Sequence, residues 1–221
     1  MTATLTTLRT RVLQFLLSSG LSAWNSETID EMLRQALAEY SDVFPRQVET
    51  VITCPAAGRE IALSALTELV NVLDVWWPYD STADQWPPNR VAGFRLDWDD
   101  GQPLLTLTCT AGPEPQANDE VRLWYTTPHH LDGLDGAAGT TILLQHESLI
   151  VYGAAAYTAL AQLSALVAAG TPPAGISSAA TAAAATRWAE SCQAKYQGLL
   201  DRLHGATVTH GPAFGAGWPL D

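Results

Sequence analysis

The chain has 221 residues, 11 of them Lys or Arg against 23 Asp or Glu, which gives a formal net charge of -12 and a pI near 4.6. Such a balance argues against a free grip on nucleic acid, whose phosphates call for clustered cations. Apolar residues make up 47% and charged ones only 15%, so the chain buries a real core of one domain or one and a half and is no disordered acidic tail.

At the N-terminus Leu5, Leu8, Val12, Leu13, Leu16 and Leu17 recur at helical spacing, and Gly20 follows as a stop. With helical periodicity and no small-residue cleavage site after a long apolar run, this is a folded helix rather than a secretion signal. Asn25 or Ser26 then caps a second helix whose first turn carries Glu27 and Asp30, acids suited to the positive helix end. Its apolar set is Ile29, Met32, Leu33, Ala36, Leu37 and Tyr40, and Pro45 forbids continuation. The simplest arrangement is two antiparallel helices with a short connection.

From Gln47 the period becomes that of strands. Val48–Thr53 and Arg59–Leu63 flank a turn at Pro55–Gly58 and predict a hairpin. Further strand-like runs are Val70–Trp77, Val91–Trp98, Pro103–Cys109 and Val121–Thr126. Turn clusters separate them, at Trp77-Pro78-Tyr79-Asp80, Trp86-Pro87-Pro88-Asn89, Asp99-Asp100-Gly101 and Gly112-Pro113-Glu114-Pro115. A small antiparallel sheet or barrel inserted between helices accounts for that spacing.

The last third returns to helix. His146–Ala169 is one candidate, stopped by Gly170, Pro172 and Pro173. Within it Leu149–Gly170 carries no charge and is long enough to cross a bilayer. Its content is largely Ala and Gly, however, and no Lys or Arg lies between Arg122 and Arg187 to anchor a span, so a helix buried among other helices is expected, with no membrane contact. The final helix starts near Ser177 or Ser178 and runs to Leu203 before Gly205. Ala184, Trp188, Cys192, Tyr196, Leu199 and Leu203 recur along it, and its Ala-rich first turns are thin enough to pack closely on another helix. Beyond Gly205 the Gly/Pro-interrupted tail shows neither period, yet it holds the apolar residues Val208, Phe214, Trp218 and Leu220; it is either a frayed terminus or a segment that adds itself to a partner through those anchors.

The whole predicts an α+β fold: a helical bundle of two N-terminal and two long C-terminal helices (residues 1–46 and 145–204), an inserted antiparallel β-rich domain with loop (47–144), and an extended C-terminal arm (205–221).

Catalytic signatures are sparse. Cys54, Cys109 and Cys192 are odd in number and widely spaced, which argues against a disulfide framework and a Cys-based zinc site and fits a reducing compartment. The polar run His129-His130-Leu131-Asp132-Gly133-Leu134-Asp135, with His146 and Glu147 downstream, has the right residue types for metal or acid–base work. Adjacent loop histidines point apart, though, and no helix pair of ligands is present, so a turn with capping histidines is expected. No nucleophile elbow, dinucleotide fingerprint or phosphate loop occurs, and Lys195 is the sole lysine. Asp97, Asp99 and Asp100 suit a solvated turn. Trp76 and Trp77, adjacent in a strand, face opposite sides, one to the core and one to the surface.

Three stretches together resemble the head–tail connector adaptor proteins of tailed bacteriophages. They are Leu8–Leu13 followed by Trp24–Leu33, Ala36–Ser41 and Pro45-Arg46; Thr127–Asp135 with Thr140-Thr141; and Val151–Tyr157. Their order and spacing over about 150 residues carry the likeness; the β-rich insertion is larger than in the smallest adaptors. The resemblance implies a structural virion protein of the neck with no catalytic activity, cofactor or metal, assembled in the host cytoplasm as a homo-oligomeric ring, commonly a dodecamer. Its implied partners are the portal protein above and a tail or nozzle protein below, with genomic DNA passing through the channel at ejection without sequence-specific binding. Val208, His210, Phe214, Trp218 and Leu220 are then the candidates for docking to the portal or a neighbouring subunit, and Tyr157, Ala180, Ala184 and Trp188 for packing between subunits. The acidic balance fits a channel wall that repels phosphate. The competing reading is a small metal-dependent or glycan-processing enzyme using the His129/His130 loop or the tryptophans.

Overall fold

In the computed structural model the described residues are 3–17, 25–82, 87, 89–108, 113–169 and 179–210, without the side chains of 165–169, 179–182, 184 and 206–210. They fold as α+β in two compact units. One holds the chain up to Phe44 together with His129–His210, and the other holds Pro45–Pro128.

The helical unit contains α1 (Leu5–Leu17), α2 (Ser26–Val43), a short 3-10 turn (Leu144–His146), α3 (Glu147–Ala169) and α4 (Ala179–His210). The Asn25 side chain accepts from the Glu27 amide and so opens α2, and the Phe44 amide donates to the Tyr40 carbonyl just before Pro45 ends it. Leu8, Val12 and Leu16 of α1 and Ile29, Leu33, Ala36 and Tyr40 of α2 are fully buried, as their spacing requires, whereas Leu17 stays 63% exposed. The uncharged α3 packs on α1, α2 and α4, which is why most of its first three turns are buried on several sides. Among the described residues no helix is long and apolar enough to cross a membrane.

The β-rich unit is two three-stranded antiparallel sheets. Its strands are β1 (Arg46–Thr53), β2 (Glu60–Ala62), β3 (Asn71–Tyr79), β4 (Phe94–Asp99), β5 (Gln102–Leu107) and β6 (Glu120–Thr127), ordered β1-β6-β3 and β2-β5-β4. Leu123, Val121 and Val75 from the first sheet and Leu105, Leu107 and Ile61 from the second share one core. Alternation sends Val121, Leu123 and Tyr125 of β6 into it and leaves Arg122 and Trp124 on the other face.

Four expectations need correction. The hairpin across Pro55–Gly58 does not form: β1 pairs over its whole length with β6, from Arg46↔Thr127 to Thr53↔Glu120, and the short β2 pairs with β5. An eight-residue ladder outcompetes a three-residue one, and the chain beyond Cys54 is tied instead to residues 115–119, with the Gly58 amide donating to the Pro115 carbonyl. The Trp77–Pro78 cluster is no turn either. β3 continues through a cis Trp77–Pro78 bond to Tyr79, its register shifting between Trp76 and Tyr79 so that proline sits at an irregularity of an edge strand. The loop from His129 to Leu143, expected to go with the β insertion, belongs to the helical unit because its polar groups are satisfied there. Finally α4 runs on through Gly205 to His210, since an interior glycine costs a long helix only about 1 kcal/mol. The first six residues of the expected arm are thus helical.

Two expectations hold in detail. Asp100 and Gly101 both take positive φ (46° and 75°) and close the β4–β5 hairpin. Trp77 packs on the sheet core while Trp76 lies on the opposite face, 4.4 Å centroid to centroid from Trp124, with the Arg122 guanidinium over both rings.

Candidate functional site

The loop 129–141 is built as a strap for the helices rather than as a reactive site. The His129 amide donates to Ser41 Oγ at 2.9 Å, and Ser41 in turn donates to the Leu37 carbonyl at 2.8 Å. His129 is 6% exposed, with Nε2 2.9 Å from the Phe44 carbonyl and Nδ1 3.0 Å from the Thr141 carbonyl and 3.2 Å from Thr141 Oγ1. Both ring nitrogens thus face carbonyl oxygens, which can only accept, and a nitrogen that carries a proton donates to the carbonyl beside it. Thr141 Oγ1 also accepts from the His130 amide at 2.8 Å, and Thr140 Oγ1 accepts from the Asp132 amide at 2.9 Å while donating to the Ala3 carbonyl. The Asp132 carbonyl accepts from the Leu5 amide at 2.8 Å. Arg34 meets Asp135 and Glu31, all three largely exposed, so the pairs fix direction more than they stabilise.

Tyr40 and Phe44 each stand against both His129 and His146, with centroid separations from 4.8 to 6.2 Å. Tyr40 Oη lies 2.7 Å from His146 Nδ1. Burial pushes the Tyr40 phenol up to about 12, against a smaller opposing effect of the Leu143 backbone, and burial pushes the His146 imidazole down. His129 is therefore more than a capping residue of a turn: it is a buried polar hub. Its dependence on Ser41 and Phe44, 88 and 85 residues away, has no local sequence signal. The ring nitrogens that a metal or an acid–base step would use already face internal partners. No group of three His, Cys, Asp or Glu among the described residues is placed to hold a metal ion. His130 lines a shallow hollow of about 350 Å³ with residues 137–141.

The helices that the sequence marks for close packing meet within the chain. Gly153 of α3 faces Tyr196 of α4 and Ala36 of α2 so closely that an added Cβ would lie 2.8 Å from the Tyr196 ring. Tyr196 Oη donates to the Ala36 carbonyl at 2.9 Å. Tyr157 donates to Glu39 at 2.7 Å and meets Tyr196 edge-on, and burial together with Glu39 holds its phenol above the ordinary value. Trp188 packs on Phe15 at 5.7 Å. The side chains of Ala180 and Ala184 lie outside the described residues, as do those of Val208 and His210 in the last turn of α4 and the whole of Phe214, Trp218 and Leu220.

Two surface features were not foreseen. A cleft of about 330 Å³ opens between α1 and α3, lined by Arg11, Gln14, Phe15, Ser148, Val151 and Tyr152, and Lys195 of α4 reaches its rim with Nζ 2.8 Å from Tyr152 Oη. Among the described residues seven arginines, Arg11 with Glu147 among them, are in ion pairs; of the four cations for which no ion pair is seen there, three, Arg187, Lys195 and Arg202, stand on α4. At the tip of the β4–β5 hairpin Trp98 is 58% exposed beside Asp99 and Asp100. No charge period marks the first feature in the sequence. The second was legible only as a turn.

No family model and no curated protein matches the chain. Among solved structures, it is similar to a chain described as the neck of an empty GTA particle, with 15% identity, 76% of this chain and 81% of that one covered, and a TM-score of 0.29. A second, from the virion of a native gene transfer agent particle, shows 16% identity over 80% and 87% of the two chains with a TM-score of 0.30. Likenesses of that degree decide neither fold nor function.

Proposed function

We propose that this chain is a structural protein of the virion neck, a head–tail adaptor that forms a ring beneath a portal and continues the DNA channel toward the tail, without turnover. The observation that carries the reading is where the three resembling stretches go. Far apart in sequence, the end of α2, the strap from His129 to Thr141 and the start of α3 close on one another in the helical unit, through Ser41–His129, Tyr40–His129 and Ala36–Gly153. Residues from all three stretches thus take part in this scaffold. In the reading, the tail beyond α4, with Phe214, Trp218 and Leu220, docks on the portal or a neighbouring subunit.

The competing enzymatic reading gains no support from the His129 ring, whose nitrogens hold the strap. The test is the mass of the purified chain, alone and mixed with its candidate portal ring, by native mass spectrometry. A stoichiometric ring complex that is lost when residues 211–221 are removed is the expected result. A chain that stays monomeric and ignores the portal ring overturns the proposal.

A further inference from the structure

We propose that the tip of the β4–β5 hairpin of one copy seats in the cleft between α1 and α3 of a second copy, making the contact between subunits a heterologous one. The inference rests on the ring-forming reading above and names the surfaces that would build the ring. Trp98 continues the row Phe94 and Leu96, whose side chains pack on the sheet core, but at the hairpin end that core stops and more than half of the indole is left in water. The tip is held rigid by the ladder Trp98↔Pro103 and Asp99↔Gln102 and by the positive-φ pair Asp100-Gly101, so little order has to be imposed when it binds. A large aromatic on a preorganised projection is the usual anchor of a protein contact.

Charge chooses the occupant. Asp97 is engaged by Arg95 and Thr106, but Asp99 and Asp100 have no ion-pair partner among the described residues. Few cations are left to answer them, because among the described residues seven of the eleven Lys and Arg already stand in ion pairs. Those left are concentrated on α4, and Lys195 stands at the rim of an aromatic cleft: its Nζ lies 4.0 Å from the Tyr152 ring centroid, with Phe15 edge-on to that ring at 5.0 Å. The cleft, of about 330 Å³, has room for an indole. An acidic tip bearing an exposed tryptophan and an aromatic cleft with a lysine at its edge that meets no carboxylate among the described residues are complementary surfaces at different places on one chain. Such surfaces join copies head to tail, the arrangement that closes into a ring.

The test uses full-length chains, checked for native circular dichroism, and reads self-association by native mass spectrometry and light scattering. Trp98→Ala is expected to weaken association about thirtyfold, as loss of an interface anchor does. A tip variant, Asp99→Lys with Asp100→Asn, keeps a residue suited to positive φ and is expected to fail to associate with itself, as is the rim variant Lys195→Glu. Mixed together, tip and rim variants are expected to recover association, because each mixed contact then pairs opposite charges. If the wild type assembles and these variants assemble equally well, or if the mixture does not recover, hairpin docking is overturned while the neck reading stands. A wild type that remains monomeric at every concentration, with and without a portal ring, overturns both.

Discussion

The two units bury apolar surface by opposite means. The helical unit does it with small residues at close approach. Ala154, Ala155, Ala156, Ala159 and Ala189 are all fully buried, and Gly153 lets an aromatic ring of α4 rest against the backbone of α3. The β-rich unit does it with branched side chains, Ile61, Leu63, Leu105, Leu107 and Leu123, filling the space between two sheets. Where backbones nearly touch, most of the specificity comes from hydrogen bonds that cross the seams, such as Tyr196 to Ala36 and His129 to Phe44. Where sheets stand about 10 Å apart, it comes from volume and alternation. A substitution that adds atoms should therefore harm the first unit most, and one that removes them should harm the second.

The largest expected effect tests the second half of that statement. Leu123→Ala leaves a cavity between the sheets and should cost about 2–5 kcal/mol, seen as a lower denaturant midpoint in tryptophan fluorescence while ellipticity at 222 nm keeps its wild-type midpoint. If both signals move together, the two units unfold as one body and the contrast has no thermodynamic meaning. Next comes His129→Ala, expected to cost about 3 kcal/mol because it empties the space of a buried ring and takes away what the Phe44 and Thr141 carbonyls face. His130→Ala should cost under about 1 kcal/mol. Equal small losses for the two histidines, read from urea midpoints at 222 nm, would return the loop to a solvated turn.

Gly153→Ala follows. In most helices that exchange stabilises by about 1 kcal/mol. Here the new methyl meets Tyr196 at 2.8 and 2.9 Å and Ala36 Cβ at 3.1 Å, and the ring cannot retreat without losing its bond to the Ala36 carbonyl. A net loss of about 1–3 kcal/mol in the helical unit is expected. A gain in thermal midpoint would show that the three-helix seam is looser than its geometry.

What could be foretold from the sequence follows the same division. Period and caps gave α1, α2 and α3 and most of the strand positions, because a helix or strand face is a local pattern. Strand partnership is not local: nothing in Val48–Thr53 says that it prefers Glu120–Thr127 to its neighbour beyond Gly58, and the deciding quantity, ladder length, exists only once β6 is formed. Pro78 looked like a terminator because the sequence does not reveal an edge strand with a register shift at that point. At the candidate site, His129 was visible as a residue type, while its partners Ser41 and Phe44 ended a helix whose pattern gave them no role. The exposed Trp98 and the rim lysine were equally silent, since exposure is a property of where the core stops.

The smallest expected effect is also the one that separates the polar seams from the apolar ones, and it concerns Tyr40 and His146. The Tyr40 phenol, raised by burial from 10.0 to about 12, contributes stability that is fully present below pH 10 and is lost as pH rises toward 12, by about 2–3 kcal/mol over the whole interval. The His146 imidazole, lowered by burial from 6.5, acts in the opposite direction: its contribution is present above that pH and is lost as the pH falls below it. The pair thus gives the helical unit a plateau between about pH 6.5 and 10. At neutral pH Tyr40→Phe should cost about 1 kcal/mol, the worth of one net hydrogen bond, and it should make the alkaline limb shallower while the acid limb keeps its slope. His146→Asn should do the reverse, removing its part of the acid limb below pH 6.5. Urea midpoints followed at 222 nm from pH 5 to 11 read both limbs. If Tyr40→Phe changes the acid limb as much as the alkaline one, the two rings titrate as a single coupled unit, and the seam between α2 and the turn before α3 is held by one shared proton rather than by two separately buried groups.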